Sequence, residues 1–135
     1  YYPEHWPSNQ WERDLKKMAE LGFTFTHFGE FAWANMEPEE GNYQFGWLDE
    51  SLRLAQQAGL KVILCTPSPT PPAWLTEKHP EILSVDDQGI TQLHGSRLHV
   101  SYNHPAYLHY VEKIVTQLAK RYANHPAVIG WQLDN

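Results

Sequence analysis

Short apolar segments alternate with longer amphipathic ones along this chain, and that alternation limits the folds open to it more than any other feature. Runs rich in apolar, β-branched and aromatic residues predict strands over residues 23–28, 60–66 and 128–134. Apolar residues at helical spacing predict helices over residues 10–21, 47–58, 72–78 and 105–124. Strands that alternate with helices imply right-handed crossovers and a parallel sheet.

Helix boundaries are indicated by capping residues and by proline. Asn9 with Glu12 resembles a capping box, and Gly22 is placed to end the first helix. Pro105 suits the first position of the last helix. The apolar stripe predicted for that last helix consists of Leu108, Val111, Val115, Leu118 and Tyr122.

The lengths of the connections distinguish a barrel from an open sheet. Connections after strands are long and aromatic, whereas those after helices have two or three residues. No glycine-rich phosphate loop follows any strand, so a nucleotide-binding domain has little support. We therefore predict α/β architecture as a (β/α)8 TIM barrel, with about the first four β/α units present. Residues 1–135 are predicted to form the N-terminal half of this barrel, with residues 1–3 as the end of a strand. Such a half-barrel is expected to leave two sheet edges unpaired.

Charge, cysteine content and hydropathy exclude several classes of protein. The formal net charge of −6 argues against a nucleic-acid partner, which requires clustered Lys and Arg. No apolar run approaches the ~20 residues that cross a bilayer, so no membrane partner is expected. Cys65 is the single cysteine, which fits a reducing, cytoplasmic location. Its apolar neighbours predict a buried, inert thiol.

The loops that follow the predicted strands combine aromatic and polar side chains. Trp6, Phe31, Trp33 and Trp74 all lie in such loops. Sugars present apolar C–H patches to aromatic planes and hydroxyls to polar groups, so the mixture suits a carbohydrate site. The last strand ends in Asp134-Asn135, at the position where an α/β barrel places its chemistry.

Seven motifs, in order, resemble glycoside hydrolase family 42, the β-galactosidases. They are Tyr1-Tyr2-Pro3-Glu4-His5-Trp6, Gly29-Glu30-Phe31-Ala32-Trp33, Glu37-Pro38-Glu39-Glu40-Gly41, Phe45-Gly46-Trp47-Leu48-Asp49, Thr70-Pro71-Pro72-Ala73-Trp74-Leu75, Gly95-Ser96-Arg97 and Gly130-Trp131-Gln132-Leu133-Asp134-Asn135. The resemblance implies a retaining enzyme that acts on terminal β-D-galactosyl residues, and a homotrimer for the full-length protein. It places the acid/base Glu immediately after Asn135 and the nucleophile Glu further downstream. The 135 residues alone are therefore expected to be inactive.

The same resemblance assigns roles to residues within the chain. Asn135 matches the asparagine that hydrogen-bonds the galactose 2-hydroxyl, a contact that strengthens in the transition state. Arg97 matches a subsite arginine that can hold a hydroxyl and orient the nucleophile. Glu30 is predicted to bind a sugar hydroxyl or to brace the barrel mouth. Trp33 and Trp74 are predicted to form the pocket wall.

Neighbouring polar residues are predicted to support the site, and no metal or other cofactor is expected. Asp134 is predicted to brace the backbone or Arg97, and Glu4 and His5 flank the mouth. Some family members hold a structural zinc with four cysteines, but the corresponding place here carries Ser101, a poor zinc ligand.

Two other functions remain open at this stage. The chain suits a non-catalytic carbohydrate-binding module if it folds by itself, with the aromatic loops as its binding surface. It also suits a related glycosidase with gluco, fuco or arabino specificity, because the residue that reads the axial 4-hydroxyl is not in this half.

Overall fold

The computed structural model describes residues 1–95 and 99–135. Its strands are β1 (Phe25–Phe28), β2 (Lys61–Cys65) and β3 (Val128–Gln132). Its helices are α1 (Ser8–Glu20), α2 (Trp33–Met36), α3 (Gly46–Gln57), α4 (Ala73–Lys78) and α5 (Pro105–Tyr122). Short 3-10 turns span Pro3–His5 and Pro80–Ile82.

The three strands form one parallel sheet in the order β1-β2-β3. Phe28 pairs with Leu64 in register, and Leu64 pairs with Trp131. The crossover from β1 to β2 carries α3, and the crossover from β2 to β3 carries α5. The predicted parallel sheet with alternating helices is therefore confirmed. Because the strands are parallel, their carboxyl ends all lie at the same end of the sheet.

Side chains alternate between a covered and an open face of the sheet. Phe28, Val62 and Leu64 are fully buried and belong to the same apolar core as the helices. His27 and Ile63, one residue out of phase, are only partly buried. The helices therefore cover one face, while the other face is open in the described part of the chain.

The outer edges of β1 and β3 have no partner strand within residues 1–95 and 99–135. A groove of about 530 Å³ runs beside β1 and includes the half-exposed ring of Phe25. The Tyr1 ammonium donates to Thr26 Oγ1 at 3.0 Å from this side. These edges agree with the prediction of unpaired sheet edges.

The expectation that residues 1–3 end a strand is wrong. Pro3 begins a 3-10 turn, because its ring lacks the N–H that a strand ladder needs. The Trp11 indole N–H donates to the carbonyls of Pro3 and Trp6, at 3.0 and 2.9 Å. The N-terminal turn is thus fixed to α1, and it makes no ladder pairing with the strands in the described residues.

The predicted capping box at the start of α1 is also wrong, although the helix itself is present. The helix begins at Ser8, so Asn9 lies inside it, and the N-cap Pro7 makes no side-chain capping bond. Gly22 ends this region with φ of 91°, as predicted.

Helix α5 begins at Pro105 as predicted, but its buried face differs from the predicted stripe. The buried residues are Tyr107, Tyr110, Ile114, Leu118 and Tyr122. Leu108 is instead half exposed. Tyrosines bury their rings when the hydroxyl finds a partner, and Tyr107 donates to the Ser68 carbonyl at 2.8 Å. No helix in the described residues is long and apolar enough to cross a bilayer.

Candidate active site

Residues from two non-adjacent strands meet at the carboxyl ends of the sheet. Glu30 follows β1, Asn135 follows β3, and β2 lies between them. The Asn135 Nδ2 amide donates to Glu30 Oε1, which joins residues 105 positions apart in the chain. The residues that follow β1 and β3 therefore lie close together, because the carboxyl ends of parallel strands lie at the same end of a sheet.

The second oxygen of Glu30 is also engaged. The Tyr2 hydroxyl donates to Glu30 Oε2 at 2.5 Å. This hydrogen bond, followed by burial, raises the pKa of Tyr2 to about 12, so the phenol keeps its proton at neutral pH. Glu30 itself is only 1% exposed, whereas Asn135 is exposed. The carboxylate is thus a buried acceptor, and among the described residues Tyr2 and Asn135 donate to it.

The backbone before Asn135 is fixed by β2. Thr66, the residue after that strand, accepts a hydrogen bond from the Asp134 N–H at 2.9 Å. Asp134 has a φ of 63°, and its Oδ1 accepts from the Asn135 N–H at 2.6 Å. Asp134 therefore braces the backbone, which agrees with its predicted role, and turns the chain so that Asn135 faces Glu30.

The loop after β1 is held from the N-terminal turn. The Glu4 carboxylate accepts from the backbone N–H groups of Gly29 and Phe31, at 3.4 and 3.3 Å. Burial raises the pKa of Glu4, an effect that the two N–H donors partly offset. His5 stacks on Phe31 with 5.4 Å between ring centroids. Glu4 and His5 thus flank the mouth as predicted, and Glu4 supports the loop that carries Glu30.

The two tryptophans predicted for the pocket wall share one partner, Glu37. The Trp33 indole N–H donates to Glu37 Oε2 at 2.9 Å, and the Trp74 indole N–H donates to the Glu37 carbonyl at 2.8 Å. Trp33 is completely buried and Trp74 partly buried. Both rings therefore pack inside the loops, and Trp33 has no exposed face that a ligand could contact.

In the described part of the chain, the one cysteine is buried and no metal-binding cluster accompanies these groups. Cys65 is fully buried, and burial raises the pKa of its thiol to about 12, with the charges of Glu30 and Glu4 adding to the effect. The predicted burial of the Cys65 thiol is confirmed, and its inertness stays a prediction. In residues 1–95 and 99–135, no three His, Cys, Asp or Glu side chains are grouped so that they can hold a metal ion.

Not every residue predicted for the site can be located. Glu30 and Asn135 are brought together, but Arg97 lies outside the described residues, and its role stays a prediction. Tyr2, Thr66 and Glu37 were missed as site residues. Thr66 ends a predicted strand, and that position could have indicated it. Tyr2 and Glu37 lie in two of the seven motifs, which could have indicated them.

Comparison with known proteins identifies the family to which this arrangement belongs. The sequence profile of glycoside hydrolase family 42, described as beta-galactosidase, matches residues 1–135. The chain belongs to this family. The resemblance inferred from the seven motifs is therefore confirmed over the entire length.

Several family 42 relatives match every residue of the chain. Beta-galactosidase BgaA from a Thermus species is 48% identical, and the chain covers 21% of its length. Beta-galactosidase BgaH from Haloferax lucentense is 45% identical, and the chain covers 20% of its length. The crystal structure of the beta-galactosidase from psychrophilic Marinomonas ef1 superposes with a TM-score of 0.96 at 44% identity, where the chain covers 21% of that protein. The chain thus spans about a fifth of its relatives, and its sheet is part of the family's TIM barrel.

Proposed function

We propose that the full-length protein is a β-galactosidase that releases terminal non-reducing β-D-galactosyl residues. Family membership supports a glycosidase, because the matched relatives are named beta-galactosidases. The observation that carries the proposal for this chain is the contact between Asn135 and Glu30 at the carboxyl ends of the strands. A buried carboxylate that orients an exposed amide is suited to reading a sugar hydroxyl.

The proposed reaction is hydrolysis with retention, by double displacement between two glutamates outside this chain. One Glu, placed directly after Asn135, protonates the leaving oxygen and later deprotonates water. The other attacks the anomeric carbon, and such pairs lie about 5–5.5 Å apart. Because Asp134 and Thr66 fix the backbone at Asn135, they also fix the starting point of the residue that follows.

Within the chain, we assign a galactose subsite to Asn135, Arg97 and Glu30. Asn135 is exposed and contacts the 2-hydroxyl, and Arg97 is assigned a second hydroxyl. Trp33 and Trp74 shape the wall through Glu37 rather than stacking on the sugar, since Trp33 has no exposed surface. No cofactor takes part in this reaction.

Substrate profiling of the full-length protein tests the proposed activity. The p-nitrophenyl β-galactoside is compared with the β-glucoside, β-fucoside and α-L-arabinoside. We expect the highest kcat/KM on the galactoside, with Asn135→Ala lowering it about tenfold to a thousandfold. Activity restricted to a non-galactosyl substrate contradicts the proposal.

The stereochemistry and assembly are tested separately. Proton NMR of the first released sugar should show the β-anomer of galactose before mutarotation, and initial α-anomer contradicts retention.

Light scattering of the full-length protein tests the homotrimer that the family resemblance implies. The single buried Cys65 supports a cytoplasmic location, which cell fractionation of the source organism tests.

A further inference from the structure

We propose that Glu30 is a positioning residue, which holds the Asn135 amide in the one orientation that meets the sugar and is itself held by Tyr2. This inference rests on the proposed galactosidase function and refines the place of Glu30 in the subsite. It assigns Tyr2, Glu30 and Asn135 to a single hydrogen-bonded unit.

The exposure of Glu30 and Asn135 separates the positioning role from direct sugar contact. Glu30 is 1% exposed even though one face of the sheet is open in the described residues. Further parts of a barrel can only bury it more. Within the described residues Asn135 is the less buried of the pair, so we assign the contact with the sugar to it. Glu30 therefore acts on the substrate through Asn135.

The chemistry of a carboxylate determines which way the amide faces. An ionised carboxylate has acceptors and no donor, so it pairs with the Nδ2 end of Asn135 and rejects the Oδ1 end. The amide is thus prevented from flipping, and Oδ1 and the second Nδ2 hydrogen remain for a sugar hydroxyl. Fixing this side chain before substrate binds removes an ordering cost from the transition state.

Tyr2 fixes the carboxylate from its other side. Its hydroxyl donates to Oε2 while Asn135 donates to Oε1, so the two donors define the plane of the carboxylate. The Tyr2 ring also contacts Phe31 edge-on, with 5.1 Å between centroids. One glutamate thereby connects the N-terminal segment to Asn135, which follows β3.

The test uses two substrates that differ only in the hydroxyl assigned to Asn135. The full-length enzyme and its Glu30→Gln variant are assayed on p-nitrophenyl β-galactoside and on the 2-deoxy analogue. Gln keeps the shape of Glu30 but cannot accept from both donors at once. We expect kcat/KM to fall about tenfold to a hundredfold on the galactoside, mostly in kcat, and to stay within about threefold on the 2-deoxy sugar.

A matched control separates positioning from general support of the mouth. Glu4→Gln alters a neighbouring carboxylate that holds the same loop, through the backbone N–H groups of Gly29 and Phe31. Any loss in this variant should be equal on both substrates. In addition, Glu30→Gln combined with Asn135→Ala should lose no more activity on the galactoside than Asn135→Ala alone, because both changes remove one interaction.

Each outcome decides the proposal. An equal loss on both substrates, no loss in Glu30→Gln, or additive losses in the double variant overturns the positioning role while leaving the β-galactosidase assignment intact. A wild-type protein inactive on the galactoside overturns both. If circular dichroism shows that Glu30→Gln does not fold, Tyr2→Phe replaces it, with an expected loss of about threefold to tenfold confined to the galactoside.

Discussion

Thr66 accepts a hydrogen bond from the backbone N–H of Asp134 at 2.9 Å, which joins the end of β2 to the end of β3. The same hydroxyl lies 3.1 Å from Ser68 Oγ. Thr66 is almost completely buried, so no water replaces it if the hydroxyl is removed. The residue that precedes Asn135 is therefore held in place by one side chain of the neighbouring strand.

Thr66→Val should destabilise the protein and misplace Asn135. Val has the shape of Thr but no acceptor, so the Asp134 N–H is left unpaired, at a cost of about 1–3 kcal/mol. Urea unfolding measures that loss, and kcat on the galactoside should fall with it. Ser51→Ala is the control, because it removes a buried hydroxyl bonded to the Leu48 carbonyl on α3, away from the site. Unchanged kcat in Thr66→Val contradicts the assignment.

Gly29→Ala should be more destabilising than a glycine replacement elsewhere. Gly29 has φ of +90°, and a Cβ there would lie 3.0 Å from Met36 Cε and 3.5 Å from the Cys65 carbonyl. Gly59→Ala is matched to it, with φ of +81° and no atom within 4 Å of the added Cβ. Both changes cost about 1–2 kcal/mol for the left-handed backbone, and Gly29→Ala should cost about 1 kcal/mol more because of crowding. Equal free energies of unfolding would show that the contact with Met36 relaxes.

The main elements were predictable because their periodicity is strong. The strand predicted over 60–66 contains β2 (Lys61–Cys65), whose Val62 and Leu64 are buried between apolar neighbours. Helix α2 (Trp33–Met36) was not predicted. It has four residues and no capping side chain, and it is stabilised by burial of Trp33 and Met36 against distant parts of the chain. Local sequence does not contain that information.

The site was predictable only in part. Parallel strands place Glu30 and Asn135 at one edge, but which side chains pair across β2 depends on register and on the turn at Asp134. The role of Thr66 depends on a contact to residue 134, 68 positions away. Such contacts arise from packing of the whole sheet, and no local pattern encodes them.

Cys65 should resist alkylation in the native protein. Burial raises the pKa of its thiol to about 12, so very little thiolate is present at pH 8, and the side chain is fully buried. We expect mass spectrometry to find Cys65 unlabelled by iodoacetamide until urea unfolds the chain. A Ser8→Cys variant supplies an exposed thiol in the same molecule as a positive control. Native labelling of Cys65 at the rate of the Ser8→Cys thiol would contradict its burial.

Asp49→Asn should remove an acid-dependent part of the stability. The hydrogen bonds from Arg121, at 2.9 and 2.5 Å, lower the pKa of Asp49, and Tyr122 adds a third at 2.8 Å. Because the folded pKa lies below the unfolded value of about 3.9, the pair stabilises the fold above that pH. The contribution is lost as pH falls through the folded pKa.

Since the Asp49–Arg121 pair is partly exposed, we expect Asp49→Asn to cost about 0.5–1 kcal/mol at pH 7. The difference between wild type and variant should shrink as the pH falls below the unfolded value of about 3.9, because the carboxylate then takes up its proton. Urea unfolding at several pH values measures it. Glu50→Gln, which breaks the exposed pair between Glu50 and Arg53 on α3, should have the smaller effect. A difference that does not change with pH would mean that Asp49 stabilises the fold through packing rather than through its charge.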